Sequence, residues 1–331
     1  MKKKLIVGTA LSALFVYLSL KGIDPGSVAE GFRAVNYSYI GPVLFLLLFI
    51  QILRSYRWGL LLSPFEKIGQ FDLFAVTSVG FLAVVAIPAR IGELARPYLI
   101  TGKSSIRMAA ALGTVVVERV FDILTVLAIF FGVLFFMPLP PWLMKSSILF
   151  LVMTLAILFF LIFIILKREK ALNTLRPLLQ RLPDRFHHRL DDLLHHFIDG
   201  VAILSEGRMI FFVILLSLLI WLVDVLAIYL LFLSFGFHLP ATASFVLMAI
   251  LIIGITIPTA PGFIGNFHYF CILGLSLFGI SKADALSYAI VLHVLSVGLI
   301  VVLGLGFLPF NRFSVADIKA RFDINGQSSS L

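Results

Sequence analysis

Ile148-Leu-Phe-Leu-Val-Met-Thr-Leu-Ala-Ile-Leu-Phe-Phe-Leu-Ile-Phe-Ile-Ile-Leu166 runs without a charged residue from end to end. A helix rises about 1.5 Å per residue, so spanning a hydrocarbon core of roughly 30 Å takes about 20 such residues. Val43–Leu53 and Met209–Leu233 repeat the pattern, the latter with a single acid, Asp224. The rest of the chain agrees. Of 331 residues, 61% are hydrophobic and 13% charged, where soluble domains carry about 25% charge. Strands of a membrane barrel would alternate apolar and polar side chains, so the chain reads as an all-α polytopic membrane protein. The one cysteine, Cys271, allows no internal disulfide.

Further spans follow on either side. Lys2–Lys4 lead into the apolar stretch Leu5–Leu20, which lacks a small-residue cleavage site and reads as an uncleaved first span. Asp24–Ser38 reads as an interfacial segment. Tyr39–Leu53 is a second span, with Arg54-Ser-Tyr-Arg57-Trp58 as its basic and aromatic interface anchor. Ala109–Phe136, Met144–Leu166, Met209–Leu233 and Ala283–Leu308 complete about six full spans.

Two apolar segments are broken instead. Phe71–Ile87 runs into Pro88-Ala-Arg90-Ile-Gly92-Glu93-Leu-Ala-Arg96-Pro97, and Ala241–Ile257 into Pro258-Thr-Ala-Pro261-Gly262-Phe-Ile-Gly265-Asn266-Phe-His268. If both are re-entrant hairpins, Lys21, Arg33, Lys145 and Lys282 are the basic residues left outside. The other 22 of the 26 Lys and Arg then lie on or near the inner side. That places the N-terminus, the 167–208 loop and the 311–331 tail in the cytoplasm, the tail disordered, at the cell (inner or plasma) membrane. Residues 1–310 form one transmembrane domain.

The hairpins also resemble each other. Pro88-Ala-Arg-Ile-Gly92-Glu93 aligns with Pro261-Gly-Phe-Ile-Gly265-Asn266 at an offset of 173, and Arg119-Val120 with His293-Val294 one residue later. This predicts an inverted repeat of halves 39–136 and 209–308. Corresponding Pro/Gly-broken segments in such halves point to a transporter's substrate site, because freed backbone must be buried in protein or line a wet cavity.

Pro88 to Tyr98, then Glu118-Arg-Val-Phe-Asp122, then Pro261-Gly-Phe-Ile-Gly265 resemble the lysylphosphatidylglycerol synthase transmembrane-region family over roughly residues 5–310. The resemblance implies translocation of a lipid between leaflets; the family's soluble aminoacyltransferase domain has no counterpart in these residues. Many members carry Glu near Asn266–His268 and Arg at His293, and this chain departs from them at both places.

Intramembrane charges are costly and usually paired or functional. Glu93 and Arg96 share a helix face, as do Glu118 and Asp122, with Arg119 between them and turned away. Arg90, Glu93, Arg96, Glu118, Arg119 and Asp122, with Asn266 and His268 from the second hairpin, are the predicted substrate-binding residues, a guanidinium being suited to a phosphate. A purely structural ion-pair network is the other reading of the same residues. Asp224 and His293 are candidates for proton or ion coupling; Pro88, Gly92, Pro258, Pro261, Gly262 and Gly265 break the hairpins. His187, His188, Asp191, Asp192, His195 and His196 have a metal site's composition, yet Leu190, Leu194, Phe197, Ile198 and Val201 give an amphipathic helix with the polar side to water, and no metal is expected.

No nucleotide, zincin or nucleophile-elbow motif occurs, so neither a cofactor nor an enzymatic role is expected, and the basic charge reports orientation rather than nucleic acid. Three functions remain: translocation of an anionic phospholipid or polyprenyl-phosphate lipid, a lipid-phosphate enzyme using Glu and His, or a non-transporting partner of a glycosyltransferase or lipid-modifying enzyme. The sequence leaves the oligomeric state open.

Overall fold

A computed structural model describes residues 2–87, 92–136, 138, 140–167, 184–202, 206–257 and 259–311, with only the backbone at 2–6 and 184–192. Among them the regular structure is entirely helical. Four helices are long and apolar enough to cross a membrane: α3 (Ile40–Leu62, with the 3₁₀ turn Tyr37–Tyr39 before it), α7 (Pro141–Leu166), α9 (Gly207–Ser234) and α12 (Lys282–Phe307, with the 3₁₀ turn Leu308–Phe310). A fifth crossing follows if α1 (Lys2–Leu20) and α2 (Pro25–Arg33), bent by 80° at the intervening turn, count as one. Helix α6 (Met108–Val133) matches them in length but carries Glu118, Arg119 and Asp122. The surface of α7 is almost wholly exposed apolar side chain, from Ile148 to Leu166, as a lipid-facing helix requires.

The expected interfacial segment is α2, capped at its start by Asp24, whose carboxylate accepts from the Ser27 amide. The polar loop contributes α8 (Asp184–Val201), docked along the first half of α6 rather than lying free. Gly200 sits where a Cβ would come within 2.1 Å of the Ala110 carbonyl, and Ile198 and Val201 are buried. His196 pairs with Asp199 on this helix. The side chains of His187, His188, Asp191 and Asp192, residues 168–183 and 203–205, and the tail from 312 lie outside the described residues.

Both Pro/Gly-broken segments break as helices. Helix α4 (Gln70–Ala86) ends at Ile87, and α5 (Ala95–Ile100) returns along it. At 17 residues α4 is about 25 Å long, short of a hydrocarbon core. The return packs so closely that a Cβ on Gly92 would lie 2.1 Å from the Ala83 carbonyl oxygen, and one on Gly80 would strike the Arg96 stem. The mouth is tied by Lys103 to Asp72 and by Ser105, whose amide and hydroxyl both donate to Glu66 and hold that carboxyl below its ordinary pKa. Pro88 and Arg90 fall outside the described residues.

The second segment follows suit. Helix α10 (Ala241–Thr256) ends before Pro258, which is also outside the described residues; the 3₁₀ turn Pro261–Phe263 and Gly265 reverse the chain into α11 (Asn266–Ser276). Gly262 and Gly265 have φ of 76° and 97°, conformations side chains resist, and a Cβ on Gly265 would meet the Ser12 carbonyl of α1 at 2.6 Å. The Ser12 hydroxyl donates to the Ile264 carbonyl, so α1 seals this turn. Helix α4 packs against 261–263, so the first broken segment touches the turn of the second.

Gly92→Val should prevent the α4–α5 reversal, because the contact it makes is with backbone that cannot move aside. The variant is expected to be lost from the monodisperse peak on size-exclusion chromatography, while Gly132→Val, at a position with open space around it, should elute as wild type.

Candidate functional site

One segment departs from its expected role. Arg54 to Trp58 is no interface anchor: α3 continues through Leu62, and both Arg57 and Trp58 are fully buried. Four helices converge there with charged, polar and aromatic side chains. Arg57 of α3 donates from Nη1 and Nη2 to the two oxygens of Asp122 at 2.7 and 3.1 Å, donates to the Ser217 hydroxyl at 2.6 Å, and lies 3.3 Å from Glu118. Arg96 of α5 donates through both terminal nitrogens to Glu118, at 3.0 and 2.8 Å, with its guanidinium 4.3 Å from the centre of the Trp58 ring. The Trp58 indole donates to Thr114 and the Trp221 indole to Asp122, each at 3.2 Å. Glu118 lies about 15 Å along α6 from its first residue, deep within a helix long enough to cross the membrane.

The i,i+4 spacing of Glu118 and Asp122 puts both carboxylates on one face of α6, and that face is what the knot is built on. Buried carboxylates of this kind are tolerable only with charge-assisted partners, and here each has a bidentate arginine. Arg96 is therefore not open to a phosphate in the manner expected from sequence, since Glu118 occupies its fork.

Arg119 is placed differently. Its nearest carboxylate contacts are long, 3.5 Å to Asp122 and 3.7 Å to Glu118, and its side chain is 37% exposed. It lines a cavity of about 440 Å³ together with Glu93, Leu112, Val115, Val116, Thr154 and Ile157. The cavity lies between α6, the lipid-facing α7 and the turn before α5; apart from Glu93 and Arg119 its walls are nearly all apolar. A cation at the edge of an apolar groove suits an amphiphile with an anionic head.

The second hairpin is polar but uncharged. Asn266 is fully buried and donates from Nδ2 to the carbonyls of Gly254 and Ile257, at 3.1 and 3.3 Å, satisfying backbone freed where α10 ends. His293 Nε2 is 2.6 Å from the Gly262 carbonyl, and its ring centre lies 4.8 Å from that of His268 with the planes tilted by 44°. Asp224 on α9 is acted on by Arg54 of α3. Arg57, Trp58, Ser217 and Trp221 are the residues that sequence reasoning missed; Ser217, Trp221 and Asp224 stand at i, i+4 and i+7, a polar stripe visible in the sequence of an otherwise apolar helix.

A bundle of long apolar helices around a charged interior, with a lipid-facing perimeter, defines a multi-pass integral membrane protein. The chain belongs to the family described as the lysylphosphatidylglycerol synthase TM region, whose model matches residues 5–304. It is similar to two UPF0104 membrane proteins of Methanothermobacter thermautotrophicus. One is 24% identical, with 95% of this chain and 96% of the relative covered; the other is 23% identical, with 89% and 90% covered. A UPF0104 membrane protein of Methanocaldococcus jannaschii is 27% identical over 66% of this chain and 89% of its own length. No solved structure matches.

Proposed function

We propose that the chain translocates a lipid with a phosphate-bearing headgroup, an anionic phospholipid or a polyprenyl-phosphate-linked lipid, between leaflets. The observation that carries the reading is Arg119: a part-exposed guanidinium on a long membrane helix, at an apolar cavity beside lipid-facing α7, with the neighbouring carboxylates already held by other arginines. Arg119 contacts the phosphate, with Glu93 beside it in the same groove; the groove takes part of the lipid chain. Arg57, Arg96, Glu118 and Asp122 fix α3, α5, α6 and α9 around it. His268 completes the substrate path at the second break, where Asn266 holds the end of α10, and Asp224 and His293 are its candidate coupling groups.

The two breaks are re-entrant hairpins of an inverted repeat, entering from opposite sides, with six full spans around them. The resemblance at an offset of 173 and the close packing of 261–263 on α4 support this. We take the role to be non-enzymatic: Glu118 is held by Arg96 and Arg57, while the His293 ring is held at the Gly262 carbonyl and beside His268. A partnering glycosyltransferase or lipid-modifying enzyme fits as the source or consumer of the lipid.

A phospholipid analogue with a photoactivatable acyl chain, irradiated in membranes holding the protein, should crosslink at 112–123 and 154–157. Crosslinks confined to the outer face of α7 would refute an occupied groove. With Cys271 replaced, single cysteines at Gln180 and Ser329 should resist an impermeant thiol reagent in intact cells, as cytoplasmic positions would; labelling of either from outside would overturn the orientation.

A further inference from the structure

The buried knot leaves a second arginine unused, next to it on α3. Arg54 lies one turn before Arg57 on α3, with its guanidinium carbon 5.2 Å from the centre of the Phe81 ring of α4 and 6.0 Å from that of Trp221 of α9. It is only half-buried and, among the described residues, has no hydrogen bond and no ion pair. The charged groups that act on it are Asp122, Asp224, Arg119 and Arg57. Asp122 already accepts from Arg57 and Trp221, and Asp224 acts on Arg54 through its charge without forming an ion pair with it. Aromatic rings hold a guanidinium by its face and leave the N–H edge directed elsewhere, and such an edge in a low-dielectric setting calls for an acceptor. The planar fork matches two oxygens of a phosphate.

We propose that Arg54, clasped by Phe81 and Trp221, is a second binding point for the phosphate of the translocated lipid. It rests on the reading above and extends it. Arg119 faces the α6–α7 groove while Arg54 faces α4 and α9, so the headgroup has one guanidinium on each side of a saturated ion-pair knot. Asp224, the acid nearest Arg54 that has no arginine bound to it, opposes the anion there and keeps its residence short, as a through-path requires.

The test is binding of a fluorescent short-chain phosphatidylglycerol to the full-length protein in maltoside micelles, which contain no phosphate, followed by anisotropy alongside thermal unfolding. Arg54→Gln should weaken binding at least about tenfold, the loss of one charge-assisted contact, with an unfolding midpoint that falls far less than that of Arg57→Gln because only ring contacts and no ion pair are lost. Asp224→Asn should tighten it. If Arg54→Gln binds as wild type, or unfolds as early as Arg57→Gln, or if Asp224→Asn destabilises without tightening, Arg54 is a structural partner of Asp224 and the proposal fails. Loss of binding in Arg119→Gln alone would retain the groove and remove the second point; wild-type binding in both variants would remove both. Displacement of the probe by inorganic phosphate as readily as by unlabelled lipid would keep the phosphate assignment and give the site to the free ion.

Discussion

Glu118→Gln should leave a protein that barely folds. Its carboxylate receives both terminal nitrogens of Arg96, lies 3.3 Å from Arg57 and is fully buried. The amide keeps the shape, yet it removes the charge and turns one acceptor into a donor facing a guanidinium. Breaking a buried pair from one side costs about 3–5 kcal/mol, against a total stability of roughly 5–15 kcal/mol. The expected result is a thermal midpoint lower by on the order of 10 °C, with much of the protein aggregated on purification. Arg96→Lys belongs in the same series. The sequence alone suggests a stable variant that has lost a phosphate contact; with the fork occupied by Glu118 and the face on Trp58, lysine loses both the second hydrogen bond and the stacking, and stability should fall. An unchanged midpoint in both variants would mean that the knot does not hold the helices.

Arg119→Gln should do the reverse. Its contacts to Asp122 and Glu118 are long and partly exposed, and both carboxylates keep their direct arginines when it is removed. Folding should therefore be spared, with the midpoint within error of wild type. Transport should fall to the level of protein-free vesicles, because the groove then has, among the described residues, no cation for a headgroup. Arg119→Lys should retain part of the activity, since the ammonium keeps the charge and loses the planar fork. Full activity in Arg119→Gln would assign the cavity a purely structural origin.

Much of this was readable in the residues. Uncharged runs such as Ile148–Leu166 dictate membrane helices, and Pro88 to Gly92 and Pro258 to Gly265 dictate where helices stop, because proline removes a donor and glycine permits the φ of 76° and 97° found there. Glu118 and Asp122 share a face by spacing alone, and the pairing of Glu118 with Arg96 follows from the cost of buried charge. Arg57 was not readable in this way. Beside Arg54, Tyr56 and Trp58 it has the composition of an interfacial belt, and only the pairing with Asp122, 65 residues away, sets it inside. The apolar run Gly59–Leu62 after Trp58 was the available signal that the helix goes on. Asn266 reads as a ligand-facing amide in the sequence, whereas the fold uses its donors to satisfy carbonyls that the broken α10 sets free. Which of the arginines stay open depends on side-chain pairing across four helices, and periodicity carries no information about that.

The decisive measurement is leaflet exchange in unilamellar liposomes of two fluorescent lipids with the same acyl chains, one with a phosphate headgroup and one a phosphate-free glycolipid. A path that begins at Arg119 should accelerate the phosphate lipid well above empty vesicles and leave the glycolipid at background. Equal acceleration of both, or of neither, would contradict a phosphate-reading groove in this protein.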